Sequence, residues 1–194
     1  MNVGIYIYDD AEVLDFSGPF EVFSTASRFL PNTNKFNVFL ISEKQGKVKA
    51  RGSYSVNTDY DITNYPSLDV LIISGGVHTE ELKKENVVKW ISTVSKSTKI
   101  VASVCTGAFL LAKAKVITNH NVTTHWEDIE DLRKSYPLLK VHENKRWIDE
   151  KNVITSGGIS AGIDMSLHLV CKLHSNELAE KTAKQMEFNW MKNS

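Results

Sequence analysis

Short apolar, β-branched runs alternate with helical stretches along this chain, and that alternation limits the fold more than any other feature. Runs over 3–8, 36–42, 70–74, 100–104, 122–124 and 153–155 predict strands. Helices are predicted over 16–29, 80–95, 106–112, 127–135, 161–173 and 177–190. The strands are apolar almost throughout, as in a sheet buried on both faces. The expected fold is therefore α/β, with a mostly parallel, doubly wound sheet. Two segments fall outside the alternation: 48–58 reads as a small strand pair, and 140–152 as a polar hairpin with a Glu150-Lys151-Asn152 turn. In such a sheet functional groups gather beyond the strand C-termini.

Length and charge narrow the function. The 194 residues are read as a single domain over 1–194. Lys and Arg total 23 against 23 for Asp and Glu, with no basic block, so a nucleic-acid partner is not expected. No apolar stretch approaches the ~20 residues of a membrane span. Two cysteines in unlike contexts suggest reduced thiols and a cytoplasmic address. Cys171 lies in an apolar helical pattern and reads as core. The histidines show no metal-ligand spacing, and no phosphate-loop or dinucleotide motif occurs, so neither metal nor cofactor is expected.

Cys105 stands where an apolar strand stops and a helix of small and apolar residues begins, Val104-Cys105-Thr106-Gly107-Ala108. Burial as a small hydrophobe is the usual fate of a free cysteine. Here the turn lifts the sulfur off the sheet and aims the first helical N–H groups at it, which favours a thiolate nucleophile. Thr106 supplies the nearest N–H and a hydroxyl.

Other candidates follow predicted strand ends. Asp15, between Leu14 and Phe16, is either a helix cap or a desolvated acid able to share a proton. Glu21, one turn on, is a second carboxylate candidate or simply complements the helix start, and Pro19 suits an early helical position. Gly75 and Gly76 let backbone N–H groups approach a reacting atom, as an oxyanion hole requires, or form an ordinary turn. His125 is a base for Cys105 or a structural histidine. Trp126 either packs at a helix start or lines a substrate pocket, whose other walls are placed at 77–81 and 159–161.

Together these residues resemble the ThiJ/PfpI superfamily, the cysteine-bearing relatives of class I glutamine amidotransferases. The similarity is collinear, through Leu14-Asp15-Phe16-Ser17-Gly18-Pro19, Ser74-Gly75-Gly76, Cys105-Thr106-Gly107-Ala108, Thr123-Thr124-His125-Trp126 and Gly157-Gly158-Ile159-Ser160-Ala161-Gly162-Ile163-Asp164. The resemblance implies a flavodoxin-like three-layer sandwich and a homodimer with the cysteine near the subunit interface. Asp15, Cys105 and Thr106, with no histidine directly after the cysteine, are similar to the isonitrile hydratase branch. That branch implies a lyase that hydrates a small isonitrile to an N-substituted formamide. Cys105 would be the nucleophile and Asp15 the acid; Thr106 would orient substrate and water, with Gly76 as a further donor. One alternative is an amidase-like, protease-like or aldehyde-processing hydrolase using Cys105 and His125. Another is a non-enzymatic redox sensor or ligand-sensing domain, since the sensor half of AraC-type regulators shares the Thr-Thr-His-Trp and late glycine motifs.

Overall fold

Val3, Ile5 and Tyr6, and the runs Val70–Ile73 and Ile100–Val104, are buried side by side, which fixes the centre of the molecule as a sheet enclosed on both faces. The computed structural model describes residues 1–192. Its first half contains β1 (Asn2–Tyr6), α1 (Val13–Ser27), β2 (Asn37–Ser42), β3 (Lys47–Lys49), β4 (Ser55–Asn57), β5 (Tyr60–Asp61), β6 (Val70–Ile73) and α2 (Glu85–Val94). There follow β7 (Ile100–Val104), α3 (Gly107–Lys113), β8 (Asn121–Val122), α4 (Ile129–Ser135) and β9 (Lys140–Val141). The last elements are β10 (Trp147–Glu150), β11 (Val153–Ser156), α5 (Ala161–Leu173) and α6 (Asn176–Gln185).

The main sheet runs β10-β11-β7-β6-β1-β2-β5, parallel except for β10. Helices α1, α5 and α6 pack together as one layer, and α2 with α3 as another. This is the expected three-layer α/β sandwich. The chain winds outward from β1 through β2 to β5, then restarts at β6 and winds the other way. Adjacent β1 and β6 therefore form the topological switch point, where loops part and leave a crevice. Cys105 emerges one strand away, at the end of β7.

Several boundaries differ from the sequence expectation. Helix α1 starts at Val13, and Pro19 lies well inside it, where the Asp15 carbonyl loses its helical donor. The Thr123-Thr124 pair leaves its strand early: Thr123 N–H bonds Thr155 Oγ1 at 2.9 Å, and the Thr124 hydroxyl bonds the Cys105 carbonyl at 2.8 Å. β8 pairs only with β9, in a separate small sheet. The polar 140–152 segment is not a hairpin on itself, because Trp147–Glu150 pairs with Val153–Ser156 across the Lys151-Asn152 turn. Segment 48–58 does form the expected strand pair, as β3 and β4. Helix α6 stops at Gln185, not 190; Glu187 turns left-handed (φ 51°) and the tail ties back, Met191 N–H bonding Asp164 Oδ1 at 2.8 Å. Cys171, expected in the core, is only half-buried.

Helix α3 crosses the end of β6 so closely that a Cβ on Gly107 would sit 2.3 Å from the Ile73 carbonyl oxygen. Backbone on both sides cannot yield. Gly107→Ala should therefore lower the melting temperature by about 2–12 °C, from an overpacking cost of roughly 1–3 kcal/mol. A thermal melt matching wild type would show that the two elements can separate freely.

Candidate active site

Four strand ends meet at the crevice. Cys105 follows β7 with φ 55°, a left-handed conformation uncommon outside glycine, which turns the chain abruptly into α3. The turn is held from behind: Cys105 N–H bonds the carbonyls of Ser156 and Gly157, both at 3.2 Å. The sulfur nonetheless stays largely covered, the residue being 7 % exposed.

Asp15 arrives from the first turn of α1 and is fully buried. It does not cap its own helix. Oδ2 accepts the Gly75 N–H at 3.1 Å and Oδ1 accepts the Ile159 N–H at 3.0 Å, so loops after β6 and β11 clamp the carboxyl from two sides. Cys105 stands beside it. A side chain on Gly75 would be driven into this contact, since its Cβ would lie 2.7 Å from both Asp15 Oδ2 and Cys105 Cβ.

Burial pushes Asp15 up to about 7, against the opposing pull of the Ile159 and Gly75 N–H groups. The Cys105 thiol is also pushed up, first by burial and then by the Asp15 charge, with the Thr106 N–H acting the other way. The expected thiolate is thus overruled by desolvation. The seven-residue α3 and its one N–H toward the sulfur do not offset removal from water.

The paired glycines do not form an open oxyanion hole. Gly75 N–H is spent on Asp15, and Gly76 N–H on Thr106 Oγ1 at 2.9 Å; the Thr106 hydroxyl in turn bonds the Gly76 carbonyl at 2.9 Å. The close approach that glycine permits is present, but it serves the acid and the threonine.

His125 lies across Gly158 from the thiol: a Cβ on Gly158 would be 2.2 Å from the His125 ring and 3.3 Å from the sulfur. No hydrogen bond joins His125 to Cys105 among the described residues. Its Nδ1 instead faces Asp128 at 3.5 Å and Glu127 at 3.7 Å. Trp126 is 76 % exposed beside the His125 ring, so it does not pack as a helix-start aromatic usually does. Gly76, His78, Cys105, Thr106, His125 and Ile159 line a cleft of about 430 Å³. A cavity of about 820 Å³ under Trp126 shares His125 and Ile159 with it. The Ile159 N–H clamp was not anticipated from sequence; the Gly157-Gly158 pair after β11 was its one visible signal. Among the described residues no group of three or more His, Cys, Asp or Glu side chains could hold a metal, and no helix is long and apolar enough to cross a membrane.

The sequence pattern of the DJ-1/PfpI family matches residues 1–172. An isonitrile hydratase from Pseudomonas putida is 27% identical over 189 residues, covering 97% of this chain and 78% of that one. The HTH-type transcriptional regulator CdhR of Pseudomonas aeruginosa is 28% identical over 173 residues, covering 89% of this chain but 51% of the regulator. The chain thus spans about half the length of the regulators it matches. A THiJ/PfpI family protein from Pseudomonas syringae has the same fold, with TM-score 0.86 at 19% identity, covering 100% of this chain and 77% of that one.

An acid held at about 7 in the fold, against an ordinary 3.8, binds its proton more tightly folded than unfolded. Its contribution to stability is complete below about pH 4 and is lost as pH rises through 7, by roughly 1.4 kcal/mol per pH unit in between. From pH 5 to pH 8 the wild-type melting temperature should fall by about 5 °C more than that of Asp15→Asn. Parallel pH curves for the two proteins would mean that Asp15 titrates normally.

Proposed function

This chain belongs to the DJ-1/PfpI family, and on that premise we propose that it is a cysteine-dependent enzyme hydrating a small isonitrile to an N-substituted formamide. The observation that carries the proposal is Cys105 set beside a buried Asp15 carboxyl that the Gly75 and Ile159 N–H groups clamp, with no hydrogen bond from the thiol to His125 among the described residues.

In the proposed reaction the sulfur bonds to the terminal isonitrile carbon as the thiol proton passes to Asp15. Asp15 returns that proton to the same carbon, giving a thioimidate. Water then adds to this carbon, with one water proton going to nitrogen. Collapse of the adduct breaks the C–S bond, releases the formamide and restores the thiol. A group poised near 7 both accepts and returns a proton at neutral pH. No oxyanion forms in the first step, which fits a site whose two glycine N–H groups are already committed. Amide hydrolysis needs such donors from the outset, and it also needs a base bonded to the thiol. The redox-sensor reading called for an exposed thiol of low pKa, and the burial of Cys105 opposes it. A ligand-sensing role keeps support from the match to CdhR at similar identity. For the homodimer, the support is the family resemblance together with exposed Val77, Trp126 and Ile159 around the cleft.

The test follows loss of a simple alkyl isonitrile by infrared absorption and formation of the N-formyl amine by NMR. Cys105→Ala should abolish turnover, Asp15→Asn should lower kcat by about 10²–10⁴-fold, and His125→Ala should leave it within about tenfold. Turnover surviving in both Cys105→Ala and Asp15→Asn overturns the mechanism. Binding without turnover by the wild-type protein overturns the enzymatic assignment in favour of ligand sensing.

A further inference from the structure

Arg146 stands at the same rim of the sheet as Cys105, two strands away. β11 pairs Ser156 with Val104 on one side and with Trp147 on the other. One residue on, the Gly157 carbonyl takes the Cys105 N–H at 3.2 Å, and the Gly157 N–H donates to the Arg146 carbonyl at 2.9 Å. At the usual strand spacing the two backbones lie about 10 Å apart. Arg146 lines the cavity of about 820 Å³ under Trp126, and so does Gly158, where an added Cβ would be 3.3 Å from the sulfur.

The Arg146 guanidinium is held by one edge. Nε, at 2.8 Å, and Nη2 both donate to Oδ2 of Asp164, which is fully buried and fixed in turn by the Met191 N–H on Oδ1. The outer edge, Nη1 with Nη2, meets the Ser160 hydroxyl 3.4 Å from each nitrogen, longer than a good hydrogen bond. The side chain keeps 30 % of its surface exposed. Glu130 and Glu143 also line the cavity, but the Arg133 guanidinium takes both. Lys145 lines it too, and its ammonium has no ion-pair partner among the described residues. The wall therefore offers a fork with a free edge and a spare cation, against no uncommitted carboxylate.

We propose that this cavity is a subsite for a carboxylate carried by the substrate, held by the outer edge of Arg146 with the Ser160 hydroxyl and the Lys145 ammonium. Parallel donors on one edge of a guanidinium match the two oxygens of a carboxylate, and the buried Asp164 fixes the direction in which that edge faces. Trp126, Ile129 and Ile159 give the apolar wall that a short spacer needs. Two strand widths separate the anchor from the sulfur, so the substrate class is an isonitrile with a carboxylate a few bonds from the reacting carbon. That the reacting end is an isonitrile rests on the function proposed above; the anion subsite does not.

The probes are 4-isocyanobutanoate, its methyl ester and the N-formyl product of each. Wild-type kcat/KM should be about tenfold or more higher for the anion than for the ester. Arg146→Lys keeps a cation on Asp164 but removes the outer edge, so it should cut that preference by about tenfold, mainly through KM. Ser160→Ala leaves the Asp164 pair intact and should weaken the preference by about threefold. Calorimetry makes the same comparison without chemistry: the N-formyl carboxylate should bind the wild-type protein about tenfold more tightly than its ester does. Equal use and equal binding of acid and ester by the wild-type protein overturn the subsite, as does a preference undiminished in both variants. Preferential binding of the N-formyl carboxylate without turnover of either isonitrile would remove the isonitrile assignment and leave the anion subsite in place.

Discussion

The clamp on Asp15 is the interaction on which the site depends. A carboxylate taken wholly out of water is costly unless donors replace the water it loses. Two backbone N–H groups do so here, from Gly75 and Ile159, and each belongs to a different loop. Their pull is weaker than the push of burial, so the acid settles near neutrality instead of remaining permanently charged. The clamp also explains the architecture around it. The loops after β1, β6 and β11 must converge with the end of β7, and the switch point of a doubly wound sheet is where such loops come together.

The legible parts of the fold were those decided by burial. β1, β6, β7 and β11 are enclosed by helices, so their apolar runs stand out, and α5 was bounded correctly because its buried face repeats from Ala161 to Leu173. β5, β8, β9 and β10 are short and carry polar residues, and tertiary pairing alone decides their partners. Hence 140–152 reads in sequence as a self-contained hairpin, although β10 pairs onward with β11. At the site, the residue types around Cys105, Asp15 and Thr106 were legible, and they do come together. The partner of each backbone N–H was not. Gly75-Gly76 announces that something approaches closely, but sequence does not reveal that the approaching groups are a carboxyl and a hydroxyl. Of the two readings of Trp126 the packing one fails, because its one-turn 3₁₀ segment directs the ring outward to the wall of a cavity.

The thiol shows how a correct local feature can be overruled. A helix start does point an N–H at Cys105, and taken alone this lowers a thiol pKa. Burial of the sulfur and the facing carboxyl act in the opposite direction and outweigh it. The result is a pair in which deprotonation of the thiol and protonation of the acid are coupled. Such a thiol is not a standing nucleophile. In the proposed reaction it becomes one as its proton leaves for a neighbour that can return it, which restricts that chemistry to reactions that consume the proton nearby.

That restriction separates the candidate reactions more sharply than the shape of the cleft does. Acyl transfer places negative charge on a carbonyl oxygen, and it needs unspent donors at that oxygen. Gly75 and Gly76 cannot supply them without releasing Asp15 and Thr106. Addition to an isonitrile places the developing charge on carbon, where a proton quenches it, and Asp15 beside the sulfur is the group able to deliver that proton. The hydrogen bonds that close the site to oxyanion chemistry are therefore the same ones that hold the acid beside the sulfur, where the proposed protonation of carbon needs it.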